Sequence, residues 1–590
     1  MITRDRDAVV AADRAHALPG LRSFHVESAA PRPPLRVGLL LDGPECPRFV
    51  ARIIEDIAES QVARLELIVY QASAAAPAAR LSRPRRYYRA LRDRSVRRLL
   101  LYDLYVRVDG RRFGADDDPL APVDCRARLA GVETIAVEPL VKGFTHRIAP
   151  ADLDRIRSSS LDVLLRFGFN ILRGDILTSA RYGVWSFHHG DNDDYRGGPA
   201  GFWELYEGNP VSGVMLQVLT DELDAGLVLC KSQFETIPGA SLSKNRYGPY
   251  WGSTHFVIRK LHELHRYGWE HVRSRALAPA PYRGRRPAYR RPGNLEMAGF
   301  LGRALTRSVL AAVRVPRHPR WRLAVRMGAR PLHSAASTEG FAWSACPPGH
   351  SHRDPSLMAR DGTAWVFFRD ESAAVGRGVI ACAEICPSGA LGPTRACLTL
   401  DRDLAYPMTF ETGGEAFMIP GSPAGGPVEL YRATDFPYEW TLETTLSRAC
   451  AVNTTVCHAA GRWWFFTAVA EPPGHCAALL LFHAASLTAQ WAYHPANPLG
   501  SDARTVRGAG GIFEVDGRLI RPSLAVSPQG ERRLALNEIA ELTPETYRER
   551  PMLAVEPVRA TRVYTRWAGI EVIDGVFSRT ARTSFRRGAL

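Results

Sequence analysis

Asp361-Gly362-Thr363-Ala364-Trp365-Val366-Phe367 reads as a tight turn followed by a strand of aromatic and β-branched residues. The phrase returns as Gly413-Gly414-Glu415-Ala416-Phe417-Met418-Ile419, as Ala460-Gly461-Arg462-Trp463-Trp464-Phe465-Phe466 and as Asp516-Gly517-Arg518-Leu519-Ile520. The second glycines, Gly362, Gly414, Gly461 and Gly517, lie 52, 47 and 56 residues apart. Hairpins recurring at about 50 residues are the mark of propeller blades, because one four-stranded sheet cannot bury its faces alone. Four repeats, with flanking strands at Trp321 to Arg326 and Arg533 to Ile539, predict an all-β five-bladed propeller over 317–575, followed by a basic tail at 576–590.

Upstream the grammar is α/β. Leu35 to Leu41 has the continuous apolar content of a buried parallel strand, and Val50, Ile53, Ile54 and Ile57 recur at helical spacing. Leu65 to Tyr70 is the next strand, so the chain opens β-α-β, the start of a doubly wound, Rossmann-like sheet. No GxGxxG follows the first strand, so the dinucleotide fingerprint is absent. This reading gives an N-terminal extension at 1–34 and an α/β domain at 35–277, with residues 75–150 a basic surface insertion. The insertion holds nine arginines between Arg80 and Arg98, a helix at Ser95 to Val108 and the turn Asp116-Asp117-Asp118. A Pro/Arg-rich linker, Ala278 to Gly293, and an amphipathic helix from Leu295 to Val313 fill 278–316 and are expected to join the domains.

The chemistry of the first half concentrates between Gly183 and Gly226. Val184 to His188 has the look of a buried strand with its last residue emerging at the strand end. Arg196-Gly197-Gly198-Pro199 follows, and Leu223-Asp224-Ala225-Gly226 closes the stretch. A His at a strand end and an Asp on a later loop make a general base and its orienting carboxylate. Earlier, Leu161 to Phe167 runs into Gly168-Phe169-Asn170-Ile171, a loop whose glycine permits close backbone approach to a flat ligand.

The stretch resembles the folate-dependent formyltransferases, the group containing methionyl-tRNA formyltransferase and the sugar N-formyltransferases. His188 precedes Arg196 by 8 residues and Asp224 by 36, as the family has it, while the family's Asn falls on Ser186. The resemblance implies 10-formyltetrahydrofolate as formyl donor, held by Phe167, Gly168, Phe169, Ile171 and Glu222. It further implies catalysis by Ser186, His188 and Asp224, with Arg196, Gly197 and Asn245 on the acceptor, and no metal. His188 would take the amine's proton and Ser186 would donate to the oxyanion.

The second half resembles the propellers of family-43 glycoside hydrolases, and more closely the N-terminal propeller of plant glucosamine inositolphosphorylceramide transferase. The residues that carry this are Arg353-Asp354-Pro355, Phe417-Met418-Ile419-Pro420, Glu429 to Thr434 with Phe436-Pro437, and Asn453-Thr454-Thr455. Glycosidases need two carboxylates. Here Asp354 keeps one acidic place, whereas Gly421 and Asn453 stand at others, so the resemblance implies glycan binding through Asp354 without hydrolysis. Together the halves give the expectation of an N-formyltransferase acting on an amino sugar or glycan precursor. The alternatives are a methionyl-tRNA formyltransferase-like enzyme and a non-catalytic carbohydrate-binding protein.

Composition bounds these readings. The 590 residues carry a net charge of +15 and are 46% hydrophobic, a globular balance. The basic excess fits an anionic acceptor, nucleotide- or lipid-linked, with no stable nucleic-acid partner expected. No apolar run approaches the roughly 18 residues of a membrane span, and the charged N-terminus lacks a secretory hydrophobic region. Ten cysteines without a CxxC pair fit free thiols, so a cytoplasmic location is expected.

Overall fold

The computed structural model describes residues 28, 30–72, 97–114, 116–222, 226–237, 239, 241–277, 281–313, 320–328, 331, 339–372, 374, 376–470, 477–526, 532–554 and 561–576. Most of the N-terminal extension, most of the arginine run, Asp224 and the basic tail from 577 onward lie outside them. The chain divides into two compact units, Met1–Arg314 and Val315–Leu590.

The first unit is built on a seven-stranded mixed sheet. Leu35–Leu41 lies at its centre between Ala63–Gln71 and Val163–Arg166, all parallel. Val184–His188 extends it in parallel beside Val163–Arg166, and Val211–Val218 and Leu227–Glu235 add an antiparallel edge. The helix Arg48–Glu59 buries Val50, Ile53, Ile54 and Ile57, the predicted stripe. Leu40, Leu67, Val69, Ile135, Leu164 and Val184 form one core cluster.

Two segments read as peripheral are structural in this unit. Glu133–Val137, inside the expected insertion, pairs in parallel with Ala63–Gln71 and completes the sheet. The helix Leu100–Phe113 packs with Phe202, Tyr289, Met297 and Phe300 through Tyr102 and its neighbours. The Pro/Arg-rich stretch placed between domains is held in the same way: Tyr289 is buried, bridges to Gly197, and Trp203 donates to the Arg290 carbonyl at 3.0 Å. In Asn294–Val313 the buried residues are Met297 and Phe300, while Leu301, Leu305 and Val309 are exposed.

The second unit is made of antiparallel sheets. The predicted turns fall at Asp361-Gly362, Gly413-Gly414, Ala460-Gly461 and Asp516-Gly517, and a fifth lies at Ala568-Gly569. Both residues of every pair have positive φ, between 44° and 81°. Two-residue hairpins take this conformation because its twist matches that of the flanking strands. The sheets hold Ala342–Trp343 with Trp321–Met327, Ile570–Val576 and Tyr564–Trp567; then His350–Arg360 to Arg395–Leu398; then seven strands from Ala405–Thr412 to Ala492–Tyr493; then Phe513–Val515 to Tyr547–Ala554. In the seven-stranded sheet the long strand Glu439–Ala459 serves one hairpin set at its start and the next at its end, through several register shifts.

Core clusters join each sheet to its neighbour. Leu323, Val325 and Val572 pack with Leu357, Val366 and Phe368; Phe367 and Ile380 pack with Met418 and Trp440. Trp464 and Phe466 pack with Val506 and Ile539; Ile520 and Leu536 pack with Ala324 and Ile573. The last cluster thus returns to the first sheet. There Trp321–Met327 pairs antiparallel with Ile570–Val576, joining the two ends of the unit.

That pairing encloses an ion pair. Arg326 Nε lies 2.5 Å from Glu571, both side chains 1% exposed, and Tyr564 donates to the other carboxylate oxygen at 2.6 Å. Removing one partner of a buried pair strands the other charge, at about 3–5 kcal/mol. Glu571→Ala is therefore expected to lower the unfolding free energy of the second unit by about that amount in urea titration; a loss below about 1 kcal/mol would show the pair to be dispensable.

Candidate functional site

In the first unit the glycine loop is bound to the central strand. The amides of Phe167 and Gly168 both donate to the Leu40 carbonyl, at 3.0 and 2.8 Å. The Phe169 amide donates to Asp42 at 2.7 Å, with Phe169 held at φ 62° and its ring buried. Arg166 at the strand end donates to the carbonyls of Phe169 and Asn170 and to Ser186 Oγ at 3.0 Å. Gly168 is required here, since a Cβ would stand 2.3 Å from the Asp42 amide nitrogen. Ile171 is half-buried in a short strand that pairs with Thr145–Arg147.

Ser186, 2% exposed, is spent within the protein: it accepts from Arg166 and donates to the Phe187 carbonyl at 3.3 Å. His188 Nε2 lies 2.9 Å from the Tyr195 carbonyl, which makes this nitrogen the donor. Next to it, His189 stacks on Tyr250 at 3.6 Å, and burial drops its pKa to about 3. Asp191 lies 2.6 Å from Lys231 and accepts from Gln233, and these bonds hold its carboxyl below the usual range against the cost of burial.

The remaining expected acceptor groups are dispersed. Arg196 lies over the Tyr282 ring at 4.6 Å and donates to the Asn192 carbonyl. Gly197, at φ 92°, meets the backbone of Tyr289. Asn245 is fully buried and uses its whole amide on Gly201, Ser212 and Ile237. Glu222 is exposed beside Asp221, which accepts from the Gly174 amide.

The second unit brings a different set together. Three strands break register at corresponding points, between Arg353 and Ser356, Ala405 and Met408, and Val452 and Thr455. At each break one non-glycine residue turns left-handed: Asp354 at φ 58°, Tyr406 at 47° and Asn453 at 52°. Such bulges re-aim a side chain at the cost of local strain, and they gather at functional sites. Asn453 Nδ2 donates to the Gly508 carbonyl at 2.7 Å. The Tyr406 hydroxyl accepts from the Gly510 amide at 2.6 Å and lies 3.3 Å from Thr455. Its pKa is pushed up to about 12, chiefly by burial.

Asp354 is half-buried, with the Tyr406 backbone near its carboxylate. Burial raises its pKa against the opposing charges of Arg353, Arg369 and Arg562. A second carboxylate, Asp574, lies behind it, fully buried, accepting from the amides of Asp354, Arg562 and Val563 at 3.1, 2.7 and 2.9 Å. Burial, then the charge of Asp354, raises Asp574 to about 6. Its oxygens are committed to these three backbone amides. The sequence reading missed Asp574 and Tyr406. The repeat pointed at Tyr406, which stands 52 residues after Asp354 and 47 before Asn453.

Residues 327–573 match the family described as glucosamine inositolphosphorylceramide transferase 1, N-terminal. The glucosamine inositolphosphorylceramide transferase 1 of Oryza sativa subsp. japonica is 30% identical over 246 residues, 40% of this chain and 32% of that protein. The chain thus spans about a third of that relative's length. Among solved structures, the family 117 glycoside hydrolase Zg3597 of Zobellia galactanivorans is similar at 11% identity and a TM-score of 0.31, over 43% of this chain and 90% of that one. The glycinamide ribonucleotide transformylase 1 of Symbiobacterium toebii is similar at 16% identity and a TM-score of 0.24, over 41% of this chain and 86% of that one.

The match corrects the functional expectation. The relatives are named for a glucosamine inositolphosphorylceramide transferase, a different transfer from that of a formyl group, so a formyltransferase with 10-formyltetrahydrofolate as donor is not retained, on an amino sugar or on methionyl-tRNA.

The loop at Gly168 is testable without reference to any substrate. Gly168→Ala should lower stability by about 1–3 kcal/mol, as overpacking against fixed backbone does. Chemical unfolding that matched wild type would show the loop free to shift.

Proposed function

We propose that the second unit is a five-bladed β-propeller that binds a glycan at its axis, and that the chain serves a transfer reaction on a carbohydrate. The observation that carries the reading is the recurrence of one bulge at Asp354, Tyr406 and Asn453, at the same 52- and 47-residue spacing as the first three hairpins. Three inner strands therefore turn a polar residue from the same level of their blades. Supporting closure, the core clusters run from sheet to sheet and back to the strand pair of Trp321–Met327 with Ile570–Val576.

The half-buried carboxylate of Asp354 and the amide of Asn453 suit the dense hydroxyls of a sugar, while the buried Tyr406 hydroxyl, bonded to Gly510 and Thr455, braces them. The relatives' name joins glucosamine to an inositol phospholipid. We therefore take the ligand to be an amino-sugar glycan carrying phosphate, in keeping with the net charge of +15. No helix among the described residues is long and apolar enough to cross a membrane, so such a glycan would be met at a surface. In the first unit we place the reactive face at the strand ends bearing Arg166 and His188, with Arg196 as an anion-binding group.

Binding without cleavage follows from the carboxylates. Hydrolysis needs two of them flanking the bond, about 5–9.5 Å apart, and Asp574 is sealed behind Asp354 by three backbone donors. The full chain should bind glucosaminyl-inositol phosphate glycans in calorimetry, and Asp354→Ala should weaken binding by about 10-fold or more with an unchanged melting temperature. Release of reducing ends by the wild type, lost in Asp354→Asn, would sink the binding-only reading; unaltered affinity in Asp354→Ala would sink the axial site.

A further inference from the structure

His350 and His352 stand two residues apart on His350–Arg360, so both rings lie on one face of the strand. Across the hairpin His352 is paired with Asp370. His350 Nδ1 lies 2.9 and 3.1 Å from the two oxygens of Asp370. His352 Nε2 stands 3.5 Å from the nearer oxygen and makes no hydrogen bond. The three donor atoms all lie within 4.8 Å of one another.

His352 is 1% exposed and its ring sits 4.7 Å from that of Phe368. A buried nitrogen left without a partner is destabilising. A cation placed between the two rings and the carboxylate would take up that lone pair and the charge of Asp370. The spacing fits: two ligands on a tetrahedral zinc with bonds near 2.0–2.1 Å stand about 3.3 Å apart, and the observed nitrogen–oxygen distances run from 2.9 to 3.5 Å.

Two imidazoles and a carboxylate are a ligand set of zinc, which leaves a fourth position to solvent, and cobalt(II) is its spectroscopic substitute.

We propose that His350, His352 and Asp370 form a binding site for a divalent transition-metal ion, zinc by the character of the ligands. The site ties the first turn of His350–Arg360 to its neighbour Thr363–Ser372, which makes it a structural centre on the blade that carries Asp354.

The test uses the full chain stripped with a chelator and titrated with zinc or cobalt(II) alone. Wild type should take up one equivalent, and its melting temperature should rise with zinc. His350→Ala and Asp370→Asn should each weaken binding by about 100-fold or more and lose the zinc-dependent rise. His350 is half-exposed, so its variant folds independently of the metal question. Uptake far below one equivalent in wild type, or affinity in either variant equal to that of wild type, would overturn the site.

Discussion

The pairing of Trp321–Met327 with Ile570–Val576 is the constraint on which the second unit depends. It joins the unit's first strand to its last, seven residues against seven. Without it the sheet between the ends would expose Ala324 and Ile573 on one side and Leu323 and Val572 on the other, and both neighbouring cores would open. The buried Arg326–Glu571 pair lies within this seam. An ion pair so enclosed adds little net stability, but it penalises any other register, since a slip would leave a charge in the core.

The polar centre follows from the same constraint. In the proposed ring of blades the inner strands can converge only if the ends are joined, and convergence places Asp354, Tyr406 and Asn453 where one bulge each turns them inward. Asp574 belongs to the closing strand and anchors the amides of Asp354, Arg562 and Val563. The seam therefore supports the site directly. A carboxylate that receives three backbone donors is a structural anchor.

Much of this architecture was legible in the chain because it depends on local chemistry. Two-residue turns with positive φ favour Gly after Asp or Gly, and three of the five announce themselves that way; Ala460-Gly461 was legible through the repeat around it, and Ala568-Gly569, with the same two residues, went unread. The strands Leu35–Leu41 and Ala63–Gln71 and the helix between them were equally plain, because the strands are mostly apolar and the helix repeats its apolar residues at helical spacing. Glu133–Val137 escaped notice as an edge strand with only Ile135 and Val137 buried. Asn245 shows the opposite failure: a polar residue spent in the core reads like one facing a ligand. The spacing of His188, Arg196 and Asp224 gave a functional label that the relatives of the second unit do not carry. The His-x-His at 350 and 352 was visible, but Asp370 joins it only through strand pairing, a relation that linear spacing does not display.

The central claim is that one glycan contacts the bulges of several blades at once. Hydrogen–deuterium exchange on the full chain, with and without a glucosaminyl-inositol phosphate glycan, tests it most directly. The account predicts added protection in the segments around Asp354, Tyr406, Asn453 and Gly508 to Gly510 together. Protection confined to one of these segments, or found only at the outer strands Arg395–Leu398 and Ala492–Tyr493, would contradict it.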